Sequence, residues 1–286
     1  MLDLNIIILS WNTEILTLQC LTSIFKYTKN IDFAVWVVDN NSIDGSVEMI
    51  KKHFPKVNLV TNKENFGFSK ANNQAIRKAE DSRYFLLLNS DTEIKNNVFA
   101  EIIKYADKHP NLGIVGPTIL NADHTLQHSV RHFPDLDSQL LIMTKLSLFF
   151  PGAKSLEKYY DKYFNYHKSQ NVDQVMGACF LIREELINTI GLLDEKFWFW
   201  FEEVDYCYRA KKAGFDVGFW HDGHVIHHGG KSAEQMMRFD RQKNFNRSLL
   251  YYFYKNQPWT EFFILWIFKP FSMLAVKLMG LIVKEK

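Results

Sequence analysis

Cysteine is scarce in this chain: Cys20, Cys179 and Cys207 lie far apart and form no Cys-x-x-Cys pair. An odd number at such spacing supplies neither a disulfide framework nor a zinc site, and it fits a reducing cytosol. No Gly-x-Gly-x-x-Gly and no Gly-x-x-x-x-Gly-Lys-Ser/Thr is present, which argues against dinucleotide oxidoreductases and P-loop enzymes. Charge of one sign is not in excess either. With a formal net charge of +2 and no basic run, nucleic acid is not an expected partner. The opening Met1-Leu2-Asp3-Leu4 lacks the positive segment that begins a secretory signal.

What the chain does have is apolar mass: 286 residues at 47% hydrophobic content are enough for one large domain, or one domain with a tail. The run Tyr84-Phe85-Leu86-Leu87-Leu88 reads as a strand buried on both faces, and it stops abruptly at Asn89-Ser90-Asp91-Thr92. Val35-Trp36-Val37-Val38 stops in the same way at Asp39-Asn40-Asn41-Ser42, and Ile6-Ile7-Ile8-Leu9 at Ser10-Trp11-Asn12. Buried strands that each end in Asn, Asp or Ser, separated by helix-length segments, describe a parallel sheet with a polar ligand site along its carboxyl edge.

Periodicity predicts strands at 4–9, 33–38, 57–60, 84–88 and 113–116, with helices at 14–28, 46–53, 69–80 and 96–109. Thr13 is the expected cap of the first helix. This is a doubly wound α/β pattern. Alternation fades from about 118, and residues 133–172, rich in tyrosine and broken by Pro134, Pro151 and Gly152, read as a variable loop for acceptor recognition. Order returns with an apolar strand at 175–182 and a helix opening near Glu202. The domain boundaries expected are 1–256, with a first half to about 117 and a second from 118, followed by a tail at 257–286. In that tail Pro270 and the lysines disfavour a simple membrane span. Lys269, Ser272, Lys277, Gly280 and Lys284 fall on one side of a helix, as in a helix lying in a bilayer surface. A helix packed on the domain is the alternative.

Several groups could carry chemistry. Asp91 stands at the end of a buried strand, where a carboxylate is either a hard ligand for Mg²⁺ or Mn²⁺ or an ordinary turn residue. The block Phe197-Trp198-Phe199-Trp200-Phe201 runs into Glu202, Glu203 and Asp205, so these acids emerge from an apolar wall at a helix start, where burial raises a carboxyl pKa and helix end or metal lowers it. Asp205 and Arg209 have the spacing of a helix ion pair. Among His221, His224, His227 and His228, a strand through Val225 and Ile226 would leave only one or two as ligands. Gly67, just before a helix, is free to take an unusual backbone angle.

Taken in order, Ile8-Leu9-Ser10-Trp11-Asn12, Val37-Val38-Asp39-Asn40-Asn41-Ser42, Asn65-Phe66-Gly67-Phe68, Leu88-Asn89-Ser90-Asp91-Thr92, Gly177-Ala178-Cys179, Phe201-Glu202-Glu203-Val204-Asp205 and Ile226-His227-His228-Gly229-Gly230 resemble family 2 of the inverting glycosyltransferases, in its bacterial rhamnosyltransferase-like branch. The resemblance implies a GT-A-type, Rossmann-like sheet and transfer of a sugar from a dTDP- or UDP-linked donor to a glycan or lipid-linked glycan, at the inner face of the cell membrane. It implies that Asp39 bonds the base, that Ser10, Asn12, Asn65, Asn73 and Asn89 bind the nucleotide sugar, and that Asp91 holds Mg²⁺ or Mn²⁺ with His227 as a further metal or diphosphate ligand. Glu203 is the base it implies, with Glu202 the competing position. Two residues depart from the usual pattern: Asn89 stands where an acid is common, and Glu203 where Asp is common. The competing readings are a sugar-nucleotide nucleotidyltransferase and a catalytically silent glycan- or nucleotide-binding subunit.

Overall fold

Leu4, Ile6, Ile7 and Ile8 have no exposed surface, because the strand they form is covered on both faces and flanked on both edges. The structure, a computed structural model, describes residues 1–230 and 235–282. Its first half alternates β1 (Leu2–Ser10), α1 (Glu14–Tyr27), β2 (Phe33–Asp39), α2 (Ser46–His53), β3 (Asn58–Thr61), α3 (Gly67–Lys78), β4 (Ser82–Asn89), β5 (Thr92–Glu93), α4 (Val98–Lys108) and β6 (Leu112–Leu120). The second half holds the short β7 (Leu126–Gln127) and β8 (Val130–Arg131), then α5 (Leu136–Met143), α6 (Lys154–Tyr159), β9 (Gln170–Asn171), β10 (Gln174–Val175), β11 (Cys179–Arg183), α7 (Glu184–Ile190), α8 (Glu202–Lys212) and β12 (Asp216–His227). Two long helices follow, α9 (Arg238–Asn256) and α10 (Trp259–Ile282).

The main sheet runs β3-β2-β1-β4-β11-β6-β12-β5. β2, β1 and β4 are parallel in a register that sets Ser10 opposite Asp39 and Leu9 opposite Asn89, so their polar ends share one edge. β11 inserts antiparallel between β4 and β6. One face carries Leu21 and Ile24 of α1, Met49 and Ile50 of α2, and Val98 to Ala106 of α4. The other carries Ala71 and Ala75 of α3, Leu186 of α7, and Tyr206 and Ala210 of α8. Each apolar helix stripe thus has a sheet face to cover it.

The strand expected at 175–182 is two strands. The chain leaves β10 where the Met176 N–H donates to the Ser129 carbonyl, and it joins the main sheet where the Ala178 carbonyl accepts from Asn89 N–H. The expected loop at 133–172 contains two short helices, α5 and α6.

A third apolar cluster joins Phe197, Phe201 and Val204 to Leu249, Tyr252 and Phe253 of α9 and Leu265 of α10. Of the described residues on the tail's expected polar side, Ser272 alone turns away from solvent. Ser272 is fully buried, and its hydroxyl accepts from Gln242 (2.9 Å) and Asn246 (3.0 Å), because the small polar residue lets α10 approach α9 closely. Lys269, Lys277 and Gly280 are exposed, and Lys284 lies outside the described residues. The outward side of α10 is apolar, with Phe263, Trp266, Phe271, Leu274 and Leu278 each about half exposed or more.

Candidate active site

A cleft opens at the carboxyl edge of the sheet, bordered by Leu9 and Trp11 after β1, Asn40 after β2, Asn65, Gly67 and Phe68 at the start of α3, Asn89, Ser90 and Asp91 after β4, and Trp198 and Phe199. An amide network fixes its floor. Asn40 Nδ2 donates to Asn65 Oδ1 and to the Gly67 carbonyl, both at 3.1 Å, while Asn62 Nδ2 donates to Asn40 Oδ1 at 2.9 Å. Gly67 has φ +77°, and a Cβ there would lie 2.2 Å from the Trp198 carbonyl oxygen, which accepts from Phe68 N–H at 2.7 Å. Glycine therefore lets the two walls meet. Asp39 is buried, with Oδ1 accepting from Ser42 N–H at 2.9 Å and Oδ2 left without a partner. Such an acceptor can take one further hydrogen bond from a ligand.

Pairing of β5 with the end of β12 sets His227 opposite Thr92. His227 Nε2 lies 3.2 Å from Asp91 Oδ1 and 3.3 Å from Asn89 Nδ2, and all three groups are largely buried. Its Nδ1 is 2.7 Å from Gln127 Oε1, while Gln127 Nε2 donates to Asn121 Oδ1. That orientation of Gln127 makes Nδ1 the protonated nitrogen and turns the Nε2 lone pair toward Asp91. A carboxylate oxygen and an imidazole nitrogen at this spacing suit neighbouring positions on a six-coordinate Mg²⁺ or Mn²⁺, whose ligands stand about 2.1 Å from the metal. Among the described residues no group of three or more His, Cys, Asp or Glu could hold a metal. Of the other histidines in this segment, His221 contacts Ser169 and His224 lies opposite Thr118, while the backbone N–H of His228 donates to the Asp91 carbonyl.

Trp200 and Phe201 take φ +68° and +69°, an uncommon conformation for bulky residues, immediately before α8. The turn sets Glu202 and Glu203 in the first turn of that helix, and each has a buried Oε2 without a partner. Burial, then the charge of Glu203, pushes the Glu202 carboxyl well above its usual range. Burial also raises Glu203, but backbone N–H groups at the helix start and the Arg131 guanidinium oppose it. Glu203 faces Gly177, where a Cβ would stand 3.5 Å from its own Cβ. Arg131 lies over the rings of Tyr159 and Tyr160 and borders a second cavity of about 430 Å³ with His128, Leu156, Glu157, Tyr160 and Lys162.

The cleft brings together Asn65, Asn89 and Asp91 of the expected residues, with His227 touching Asn89 and Asp91. Three others have their side chains engaged away from it. Ser10 joins a buried hydroxyl cluster with Thr13 and Thr17, and Thr13 bonds Ser90 at 3.0 Å instead of capping α1. Asp44 Oδ2 accepts from Glu14 N–H in its place. Asn12 Oδ1 accepts from Ile43 N–H, shaping the turn after β1. Asn73 is fully buried, bonded to both backbone groups of Leu193 and to Glu195. The expected Asp205–Arg209 pair is present at 2.8 Å. Gln127 and Arg131 were not legible as site residues, since they stand among other polar residues, Gln127-His128-Ser129 and Arg131-His132, in a stretch without regular periodicity.

Residues 5–191, more than half of the chain, match the profile of glycosyl transferase family 2. The chain is 26% identical over 219 residues to a low-salt glycan biosynthesis hexosyltransferase of Haloferax volcanii, covering 76% of this chain and 64% of that protein. It is 24% identical over 210 residues to the N-acetylglucosaminyl-diphospho-decaprenol L-rhamnosyltransferase of Mycobacterium tuberculosis, covering 70% and 68%. It thus spans about two thirds of the length of these relatives. A mannosyltransferase from Pyrobaculum calidifontis, solved with GDP-Man and Mn²⁺, shares its fold with a TM-score of 0.59 at 15% identity, over 100% of this chain and 76% of that one. S. aureus TarS in complex with UDP does so with a TM-score of 0.54 at 16% identity, over 88% and 72%.

Proposed function

Because the chain belongs to glycosyltransferase family 2, in the branch resembling bacterial rhamnosyltransferases, we propose that it moves a sugar with inversion from a nucleoside diphosphate donor to a glycan or lipid-linked oligosaccharide in surface polysaccharide synthesis. The observation that carries this reading is the meeting of Asn89 and Asp91 with His227 in one cleft. The donor we assign is dTDP-rhamnose; for the sugar, the L-rhamnosyltransferase of Mycobacterium tuberculosis supports the choice.

Each residue then has a role. Asp39, through its unpartnered Oδ2, accepts the imide N–H of a pyrimidine base. Asn65 and Asn89 line the donor cleft. Asp91 and His227 hold Mg²⁺ or Mn²⁺, which when bound offsets negative charge on the donor diphosphate. Glu203 removes the proton from the acceptor hydroxyl while that oxygen attacks the anomeric carbon and the nucleoside diphosphate departs from the opposite side. Glu202 stands beside it, its carboxyl raised by burial and by the charge of Glu203. Arg131 and the 430 Å³ cavity lie on the acceptor side of Glu203.

Acceptor chemistry also gives α10 a place. With Ser272 held on α9, Phe263, Phe271, Leu274 and Leu278 outward, and Lys269 and Lys277 exposed, it lies in the bilayer surface at the cytoplasmic face.

The test is thermal stabilisation by dTDP-, UDP- and GDP-sugars, each with and without Mn²⁺. A ligand at 100 times its dissociation constant adds about 2.7 kcal/mol, which a melt resolves. A metal-dependent rise with dTDP-rhamnose supports the assignment. A rise with another class would replace the donor, and no rise with any would favour a silent binding subunit.

A further inference from the structure

On the far side of Trp200 lies a cavity of about 520 Å³ that the transfer reaction does not use. It is lined by Lys145, Arg238, Arg241 and Gln242, with Trp200, Phe245, Val276 and Met279 as its apolar part. Lys145 and Arg241 border it, and among the described lining residues there is no carboxylate. Lys145 and Arg241 have no ion-pair partner among the described residues, and burial together with the charge of Arg241 pushes the Lys145 ammonium down. Half-buried like charges crowded in this way gain most from a bound anion.

The surroundings say what kind of anion. Lys145 opens a short turn in which Leu148, Phe149 and Phe150 are 61%, 76% and 59% exposed. Val276 and Met279 belong to α10, whose outward face is apolar, with exposed Lys277 between them. A cationic recess thus stands between two exposed apolar surfaces. Free phosphate or a nucleotide would leave those surfaces in water, whereas a phospholipid would cover them with its chains while its phosphate met the cations.

We propose that the cavity bordered by Lys145 and Arg241 binds the phosphate of an anionic membrane lipid whose acyl chains lie against the 146–150 turn and α10. This site rests on the membrane-surface reading of α10, and it differs from the donor cleft and from the acceptor cavity in every lining residue. Gln242, which lines it, also holds Ser272, so the anchor of α10 forms part of its wall.

Flotation of the full chain with phosphatidylcholine vesicles, and with the same vesicles doped with phosphatidylglycerol, tests the proposal. The doped vesicles should capture the wild type more strongly, and Lys145→Gln with Arg241→Gln should lower that affinity about 30-fold, from two charges lost at a membrane surface. Lys51→Gln with Lys52→Gln, two exposed lysines on α2, removes equal charge and should change affinity only slightly. Equal losses in the two double variants would overturn the proposal, because the attraction would then be diffuse. Arg241→Gln alone replaces the first pair if that pair melts early. Calorimetry with soluble dihexanoyl-phosphatidylglycerol, dihexanoyl-phosphatidylcholine and inorganic pyrophosphate needs no vesicle, so it separates failure of the site from failure of the membrane reading. Heat with the anionic lipid that is lost in the variant supports the site. Heat with pyrophosphate alone, or equal heat from both lipids, contradicts it.

Discussion

Gly67→Ala is the substitution whose effect is fixed most tightly by geometry. At φ +77° an alanine takes a left-handed conformation that costs about 1–2 kcal/mol. Its Cβ would also stand 2.2 Å from the Trp198 carbonyl oxygen and 2.6 Å from the indole ring, so the two walls of the cleft must separate. Such overpacking costs about 1–3 kcal/mol, and losing the Phe68 N–H bond to that carbonyl adds about 1 kcal/mol. Together these give about 3–6 kcal/mol, a fall in melting temperature on the order of 10 °C for a chain of this size. Gly214→Ala supplies the control: its φ is +89°, but a Cβ there meets nothing within 4 Å, so only the backbone part remains. Circular dichroism melts of both variants decide the matter. Gly67→Ala should melt well below Gly214→Ala and lose donor affinity, because Asn65, Phe68 and Trp198 border the cleft. Equal melting temperatures would refute the docking of α3 on Trp198.

Glu202→Gln should stabilise the protein near neutral pH. A carboxyl whose folded pKa is raised contributes stability below its unfolded value, about 4.3, and loses it as pH rises through the folded one, so wild-type stability should fall across that window and the variant's should not; denaturant titration at several pH values measures the difference. Arg131→Gln removes a charge that lowers the Glu203 pKa, so the acidic limb of the kcat/KM profile should move to higher pH. An unmoved limb would detach Arg131 from the base. Ser272→Val should cost about 1–3 kcal/mol by leaving Gln242 and Asn246 short of a partner in a fully buried contact, read by chemical denaturation. Asp91→Asn and His227→Ala should each abolish Mn²⁺ binding followed by electron paramagnetic resonance, with the fold retained.

The nucleotide half was legible because β1, β2 and β4 are apolar on both faces and end in polar residues, and because their helices carry one apolar stripe each. What spacing does not carry is long-range order. Residues 175–182 read as one strand, but nothing local says that its second part enters antiparallel between β4 and β6. The contact of His227 with Asp91 is of the same kind: β5 is two residues long, and its pairing with β12 decides which histidine arrives. Motif order named Asn73 as a nucleotide contact, whereas its amide ties α3 to Leu193. The tail shows how a helical wheel misleads. Lys269, Lys277 and Gly280 face solvent as the wheel groups them, but Ser272 packs on α9 because Gln242 and Asn246 offer it buried partners.

The most direct test of the account is to compare Glu203→Gln with the wild type in two assays on the same protein, nucleotide affinity by calorimetry and sugar transfer by product formation. The account predicts that donor affinity is kept while kcat falls by at least about 100-fold, in the range of a general base. Near-normal turnover by Glu203→Gln would contradict it.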